Sequence, residues 1–350
     1  MRFLFVHQNF PGQFKHVAAA LAAGGHDVVA LGINRPAEAV PGVRHALYAD
    51  APPLPAADPS RPLSAAMGEM AGKFARGEAA ARAMSRLKKE GFEPDVVVAH
   101  PGWGEALFAK DVFPAARLVI YAEYFYGDES GDSHFDPEFH RPSLAAEERV
   151  RIKNTHLLHA LHACDAAIAP TEFQKRQHPG WAQDRIQVIH EGIATDRFRA
   201  DPQASVQLKS AGVTLRPGEE VVTFVVRQLE PYRGYHTFMR ALPLLQQLRP
   251  NARVVLVGGE GASYGAAAPE GKTWKDIFLA EVAGRLDMSR VHFVGRVPHA
   301  VLTQLMQVSA VHVYLTYPFV LSWSLLEAMS IGCLVVASDT APVREVITHG

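Results

Sequence analysis

The residues best equipped for chemistry are concentrated in Tyr317-Pro318-Phe319-Val320-Leu321-Ser322-Trp323-Ser324-Leu325-Leu326-Glu327, near the end of the chain. The run Val311 to Leu315 reads as a buried strand. A turn follows it, and Ser322 is placed to open a helix that carries Glu327 among apolar neighbours. A helix start offers unpaired N–H groups and the positive end of the helix dipole, which suits a phosphate. A carboxylate one turn further on can accept two hydrogen bonds from a sugar diol. Together these groups would hold a nucleotide.

Four other stretches follow apolar runs in the same way. In Phe10-Pro11-Gly12-Gln13-Phe14, Gly12 would let the backbone approach a ligand closely, although a tight turn without a ligand fits as well. No G-x-G-x-x-G follows the first strand, so a dinucleotide fingerprint is excluded. His100, in Ala99-His100-Pro101-Gly102-Trp103-Gly104, stands where open α/β sheets place their ligands. A solitary histidine is more often structural, and the glycines flanking Trp103 tilt the reading towards a site. In Arg227-Gln228-Leu229-Glu230-Pro231-Tyr232-Arg233-Gly234, two arginines around a proline turn could converge on a diphosphate with their planar forks. Phe293-Val294-Gly295-Arg296-Val297 offers backbone groups to a nucleobase edge, or is a plain turn.

The elements that must position these residues are short apolar runs alternating with helical patterns, the signature of parallel α/β architecture. Strands are expected at Phe3–His7, Asp27–Leu31, Asp95–Ala99, Arg117–Ala122, Ala166–Ala169 and Ile186–Ile189, and helices over Gln13–Ala23, Leu63–Glu90 and Ser143–Ala163. Residues 50–63 and 126–142 read as loops. After a linker near Glu191–Pro202 a second series runs through Val221–Val226, Arg253–Val257, Val291–Val294, Val311–Leu315 and Cys333–Ala337, with helices over Tyr235–Leu248 and Pro298–Val308. The Gly- and Ala-rich loop Gly259–Lys272 is expected to be mobile. With 350 residues, two domains are expected, 1–195 and 196–350, facing each other across a cleft.

Composition removes several classes. A formal net charge of −1 argues against a nucleic-acid binder or a polybasic membrane clamp. Two distant cysteines, Cys164 and Cys333, in apolar surroundings read as reduced core residues of a cytoplasmic protein. The apolar start, Met1 to Val6, is too short for a signal peptide, and no run is long enough to span a bilayer. Peripheral association with a membrane is the most that this composition leaves open. His156, His159 and His162 recur every three residues but match no usual zinc spacing, so no metal is expected there. The loop with Asp132, His134, Asp136, Glu138 and His140 reads as facing an acceptor substrate rather than as a metal site. No Asp-x-Asp occurs, so the usual carboxylate pair for a metal-bound nucleotide sugar is missing.

The order and spacing of these elements resemble the retaining glycosyltransferases of family 4, with the GT-B fold of two facing Rossmann-like domains with parallel sheets. The likeness spans essentially the whole chain and is strongest from Val221 onward. It implies that Gly12 lies beneath the donor phosphate and acceptor, and that His100 lies near the donor sugar. His190-Glu191-Gly192-Ile193 resembles the junction opening the interdomain linker. Arg233 matches the basic residue that binds the diphosphate. Arg227 lies one position before the family's arginine, which here is Gln228, so both remain candidates. Gly295 and Val297 resemble the segment that holds the base. Leu321 and Ser322 match the helix start over the β-phosphate, with Leu325 assigned to the same nucleotide site. Glu327 matches the second, ribose-binding glutamate of the family's E-x7-E motif. The first glutamate is replaced by Phe319, which implies altered donor chemistry.

The resemblance further implies a metal-independent, retaining transfer from a UDP- or GDP-type sugar to an unidentified acceptor, with no cofactor. A nucleotide-sugar epimerase or a non-catalytic nucleotide-sugar-binding protein of the same fold are the alternatives. The family pattern would continue beyond Gly350 with further elements, including a helix packing back across the cleft, so the second domain is expected to be incomplete.

Overall fold

The computed structural model describes residues 1–49, 63–127, 131–140, 143–208 and 211–349. The chain divides into two compact units, Met1–His134 with Arg141–Gly192, and Phe135–His140 with Ile193–Gly350. A short piece of the first half of the sequence therefore belongs to the second unit.

The first unit is built on seven parallel strands: β1 (Arg2–Val6), β2 (Asp27–Gly32), β3 (Val43–Leu47), β4 (Val96–Ala99), β5 (Arg117–Tyr121), β6 (Ala166–Ala169) and β7 (Ile186–Val188). Their order is β3-β2-β1-β4-β5-β6-β7. Its helices are α1 (Lys15–Ala23), α2 (Ser64–Lys89), α3 (Ala109–Val112), α4 (Leu144–Ala163), α5 (Glu172–Gln177) and α6 (Gly180–Gln183). Helices cover both faces of the sheet, so the central strands are apolar on both sides. In β1, Leu4 and Val6 join the core built with Met84 and Leu87 of α2 and Leu161 of α4. Phe5, one residue out of phase, packs with Phe14 and with Ala18 of α1.

In the second unit a small antiparallel hairpin, β8 (Val206–Leu208) with β9 (Val213–Leu215), precedes a five-stranded parallel sheet. That sheet comprises β10 (Val221–Gln228), β11 (Arg253–Gly259), β12 (Val291–Gly295), β13 (Val311–Tyr314) and β14 (Leu334–Ala337), in the order β12-β11-β10-β13-β14. Its helices are α7 (Tyr235–Leu248), α8 (Trp274–Val282), α9 (His299–Gln307), α10 (Trp323–Ile331) and α11 (Ala341–Arg344). Val222 and Phe224 of β10 face α7 and α8, whereas Val221 and Val225 face the core of α9 and α10.

Three features were not legible from periodicity. Edge strand β3 carries Arg44 and His45 and is only partly buried, which hides its strand character. The hairpin lies beyond the expected linker. Helix α8 is announced by a capping box at Thr273 and Asp276 rather than by an apolar stripe. The loop expected at 50–63 falls outside the described residues up to position 62. No described helix is long and apolar enough to cross a membrane.

Strand order locates the ligand positions. In a doubly wound sheet, ligands bind beyond the carboxyl ends of the strands where the order reverses direction. That point lies between β1 and β4 in the first unit and between β10 and β13 in the second.

Candidate active site

The switch point of the first unit gathers His7 after β1, His100 after β4 and Glu123 just beyond β5. The backbone N–H of Asn9 donates to His7 Nδ1 at 3.0 Å, which leaves the ring proton on Nε2, 2.9 Å from Gln13 Oε1. Gln13 then directs its amide Nε2 to Glu123 Oε1 at 2.5 Å. On the other side the N–H of Gly102 donates to His100 Nδ1 at 3.1 Å, so Nε2–H of His100 faces Glu123 Oε2 at 3.3 Å. Two backbone amides thus fix both histidine tautomers, so that His100 faces the carboxylate directly and His7 reaches it through Gln13.

Burial, with His100 beside it, lowers the His7 imidazole to about 4, so this ring is neutral at pH 7. Burial alone would raise the Glu123 carboxyl, but His100 and Gln13 outweigh it and hold it below the ordinary carboxylate range. Gly12 has a positive φ of 45°, and a Cβ there would lie 2.4 Å from His7 Nε2, so glycine is what admits the ring. Trp103 packs against His100 with ring centroids 4.4 Å apart, and Tyr121 lies on the ring at 5.7 Å. Tyr121 also donates to Glu191 Oε2 at 2.7 Å.

At the switch point of the second unit the central feature is Arg233, which is 9% exposed. Its guanidinium lies 5.2 Å from the Tyr264 ring and 5.7 Å from Tyr232, and Nη1 reaches Thr316 Oγ1 at 3.5 Å. Its Nε is buried without a hydrogen bond, and no carboxylate pairs with it among the described residues. A buried cation without a counter-charge is costly, and cation–π contacts at these distances offset only part of that cost. The turn that presents Arg233 depends on Gly234, whose φ is 72° and where a Cβ would meet the Leu315 backbone oxygen at 2.4 Å.

The neighbouring acid, Glu230, is fully buried and spoken for. It accepts from the backbone N–H of Ser263 at 2.9 Å and from the Ser263 hydroxyl. Gln228 Oε1 likewise accepts from the N–H of Gly261 at 3.2 Å. Both side chains pin the loop that was expected to be mobile, and Gln228 is committed to that task. Arg227 points outward from the same strand and is exposed.

Beyond β13, Phe319 packs on Tyr264 and Tyr232 at 4.7 and 5.4 Å, with Tyr317 on the far side of Tyr232. Phe319 thus sits within an aromatic cluster. Ser322 caps α10, its Oγ accepting from Ser324 N–H at 3.3 Å and its own N–H donating to Tyr314 Oη at 3.1 Å. Glu327, 6% exposed, pairs through Oε1 with His299 Nε2 at 3.0 Å. Leu325 departs from its expected place: its side chain is fully buried with Tyr314, Leu321 and Val343, and its N–H bonds to Ser322 O. Leu321 is buried in the same cluster, and Val297 packs into the α9 side of the core. Gly295 ends β12 in the left-handed region at φ 66°.

The clusters read as non-metallic can also be placed. His156 Nε2 donates to Gly102 O at 3.0 Å, His159 packs on Phe74 and His162 is exposed, so the three are not gathered together. The loop read as acceptor-facing is divided. Asp132 and His134 stay with the first unit, and residues 135–140 belong to the second. There Asp136 meets Tyr317 Oη at 2.5 Å and His236 at 3.1 Å, while Glu138 is held in a fork by Arg240. Asp136, Glu138 and His236 lie close enough to share an ion, but both carboxylates already have partners, and Arg240 holds Glu138 below its usual range. They brace the segment. His7, Gln13 and Glu123 were not singled out from the sequence. The available signal was position, since each immediately ends or follows a buried strand or its turn.

Residues 24–198, half of the chain, match the model of the Glycosyl transferase family 4 group, and residues 207–350 match that of Glycosyl transferases group 1. The chain belongs to the family 4 glycosyltransferases. Among curated relatives, this glycosyltransferase is 26% identical to a glycogen synthase of Mycobacterium tuberculosis, over 100% of its own length and 81% of the relative. It is also 26% identical to a D-inositol 3-phosphate glycosyltransferase of Streptomyces scabiei, over 54% of its length and 42% of the relative. Among solved structures it resembles sucrose-phosphate synthase from Thermosynechococcus elongatus (TM-score 0.69, 18% identity, 99% of this chain and 84% of that one). It likewise resembles an E. coli trehalose-6-phosphate protein bound with UDP-2-fluoro glucose (TM-score 0.64, 14% identity, 99% and 86%). At these identities the structures speak for the fold, which is the two-domain Rossmann-like GT-B fold.

Proposed function

We propose that this glycosyltransferase moves a sugar from a nucleoside-diphosphate sugar to a hydroxyl acceptor, with retention at the anomeric carbon and without a metal ion. The observation that carries the reading is Arg233, a buried and unneutralised guanidinium at the carboxyl end of β10. Its planar fork suits a diphosphate, and charge that grows on the leaving group during transfer is stabilised by a fixed cation in a dry site. The solved relatives bound with UDP and with UDP-2-fluoro glucose support the same donor class.

Retention fits the carboxylates of the second unit. Glu230 is enclosed by its loop, Glu327 is paired with His299, and Phe319 replaces the remaining acid, so none is presented as a nucleophile. Same-face attack then forms the bond from the acceptor oxygen to the anomeric carbon as the bond to the diphosphate oxygen breaks. The hydroxyl proton leaves on that phosphate oxygen. Arg233 supplies positive charge at the place where many such enzymes would need a metal.

Isothermal titration with UDP, GDP and ADP tests the reading directly. One of them should bind the wild type, and Arg233→Ala should weaken it by at least about tenfold, the scale of one charged hydrogen bond. Unchanged affinity in the variant, or no nucleotide binding at all, overturns the proposal. Turnover of the matching sugar nucleotide in EDTA, with the product anomer read by NMR, checks metal independence and retention.

A further inference from the structure

The polar network of the first unit has a feature that its internal bonding does not explain. Both ring nitrogens of His7 and both ends of the Gln13 amide are assigned, Gly102 fixes Nδ1 of His100, and the chain from His7 through Gln13 ends on Glu123, which His100 Nε2 faces at 3.3 Å. A carboxylate offers about four acceptor positions. Glu123 uses one on Oε1 for Gln13, turns Oε2 towards His100 at 3.3 Å, and its side chain remains 23% exposed. Two acceptor positions are therefore left over on an oriented anion at the strand-order reversal. Beside it stands Trp103, half-buried and packed on His100 with the rings tilted by 30°, an aromatic surface near a carboxylate and an amide. A flat apolar plate flanked by oriented acceptors suits a sugar ring, whose C–H face lies on the indole while its hydroxyls donate to the acid.

We propose that Glu123 receives hydrogen bonds from hydroxyl groups of the acceptor substrate, with Trp103 as the plate beneath its ring, and that the acceptor is a neutral polyhydroxylated compound at this point. The inference rests on the glycosyl-transfer reading above, because it supplies that reaction's second substrate. A neutral group is specified by charge. Glu123 is the anionic end of a hydrogen-bond chain whose His7 member is neutral, so a phosphate placed against it would meet a fixed anion. The two donors already on the carboxylate also make it a poor final home for a proton. Its task is to orient the hydroxyl, and the proton leaves with the diphosphate.

The test is saturation-transfer NMR on the full chain, with the bound nucleotide held saturating. The probes are methyl α-glucoside, methyl α-mannoside and myo-inositol, against glucose 6-phosphate and mannose 6-phosphate. At least one neutral probe should bind the wild type more tightly than the phosphorylated sugars do. Glu123→Gln should weaken it by about tenfold or more, because its amide must face the N–H of either Gln13 or His100. Trp103→Ala, a variant outside the polar chain, should weaken the same probe. UDP or GDP affinity should stay within about twofold in both variants. Equal binding of the neutral probe by Glu123→Gln, preference for the sugar phosphates, or no neutral binding by the wild type each overturns the inference. Loss of nucleotide binding by the wild type would instead sink the donor reading, so the two failures are distinguishable.

Discussion

On the proposed reading Arg233 and Glu327 would divide the work on a nucleotide differently, and that difference can be measured. Arg233 is a buried cation that no carboxylate pairs with among the described residues, whereas Glu327 is already held by His299. If Glu327 serves a ribose, Glu327→Ala should weaken UDP or GDP about tenfold and leave pyrophosphate unchanged, since only the nucleotide carries the diol. Titration of the variant with both ligands gives the ratio, and parallel losses would place Glu327 on the phosphate side. The same scale shows what could be read in advance. Arg233 and Glu327 were legible because charged residues after apolar runs stand out. Whether Arg227 or Gln228 should be paired with Arg233 was not, because the choice depends on side-chain direction. The strand turns Arg227 to solvent and Gln228 to the Gly261 loop. Phe319 was singled out only through the resemblance, and its packing against Tyr232 and Tyr264, residues distant in sequence, was not legible.

Among the elements, the turn between β10 and α7 carries the most consequence. Gly234 begins α7 in the left-handed region with the Leu315 backbone against it, so the Arg233 turn and the β13 loop are locked to each other. Gly234→Ala should therefore cost about 2–4 kcal/mol, the sum of an unfavourable φ and a backbone clash. Urea denaturation would register this, and it should be accompanied by loss of nucleotide binding. A variant of wild-type stability would show that the turn relaxes freely. Helices and strands with clean periodicity were legible here, as in β1, β10 and α7. The pinned loop after β11 was not, because Gly- and Ala-rich composition signals freedom while Glu230 and Gln228, some thirty residues earlier, withdraw it.

Over the whole molecule, acid should act mainly through buried histidines. His7, His156, His178 and His312 are each lowered to about 4 by burial, with His100 adding to the effect at His7 and Lys73 at His156. Their folded values lie below the ordinary 6.5, so the unfolded chain takes up protons first as pH falls. Stability contributed by keeping them neutral is complete above about 6.5 and is lost as pH falls towards 4. Each can contribute a slope of up to about 1.4 kcal/mol per pH unit in that window. Three of the four lie in the first unit, so that unit should lose stability first. Denaturation followed at pH 7.5, 6.0 and 5.0 should show falling midpoints, and a flat profile would contradict the assignment.

The sequence alone determined the parallel α/β class, the two series of strands and the turns that follow them. Those follow from period and punctuation, which are local properties of the chain. Tertiary structure decided which residues meet: the convergence of His7, His100, Gln13 and Glu123, the isolation of the Arg233 charge, and the transfer of residues 135–140 to the second unit. Strand order brings distant turns to one end of a sheet, and no local pattern encodes that order. Burial then sets the charge of each group, through neighbours that lie far away along the chain.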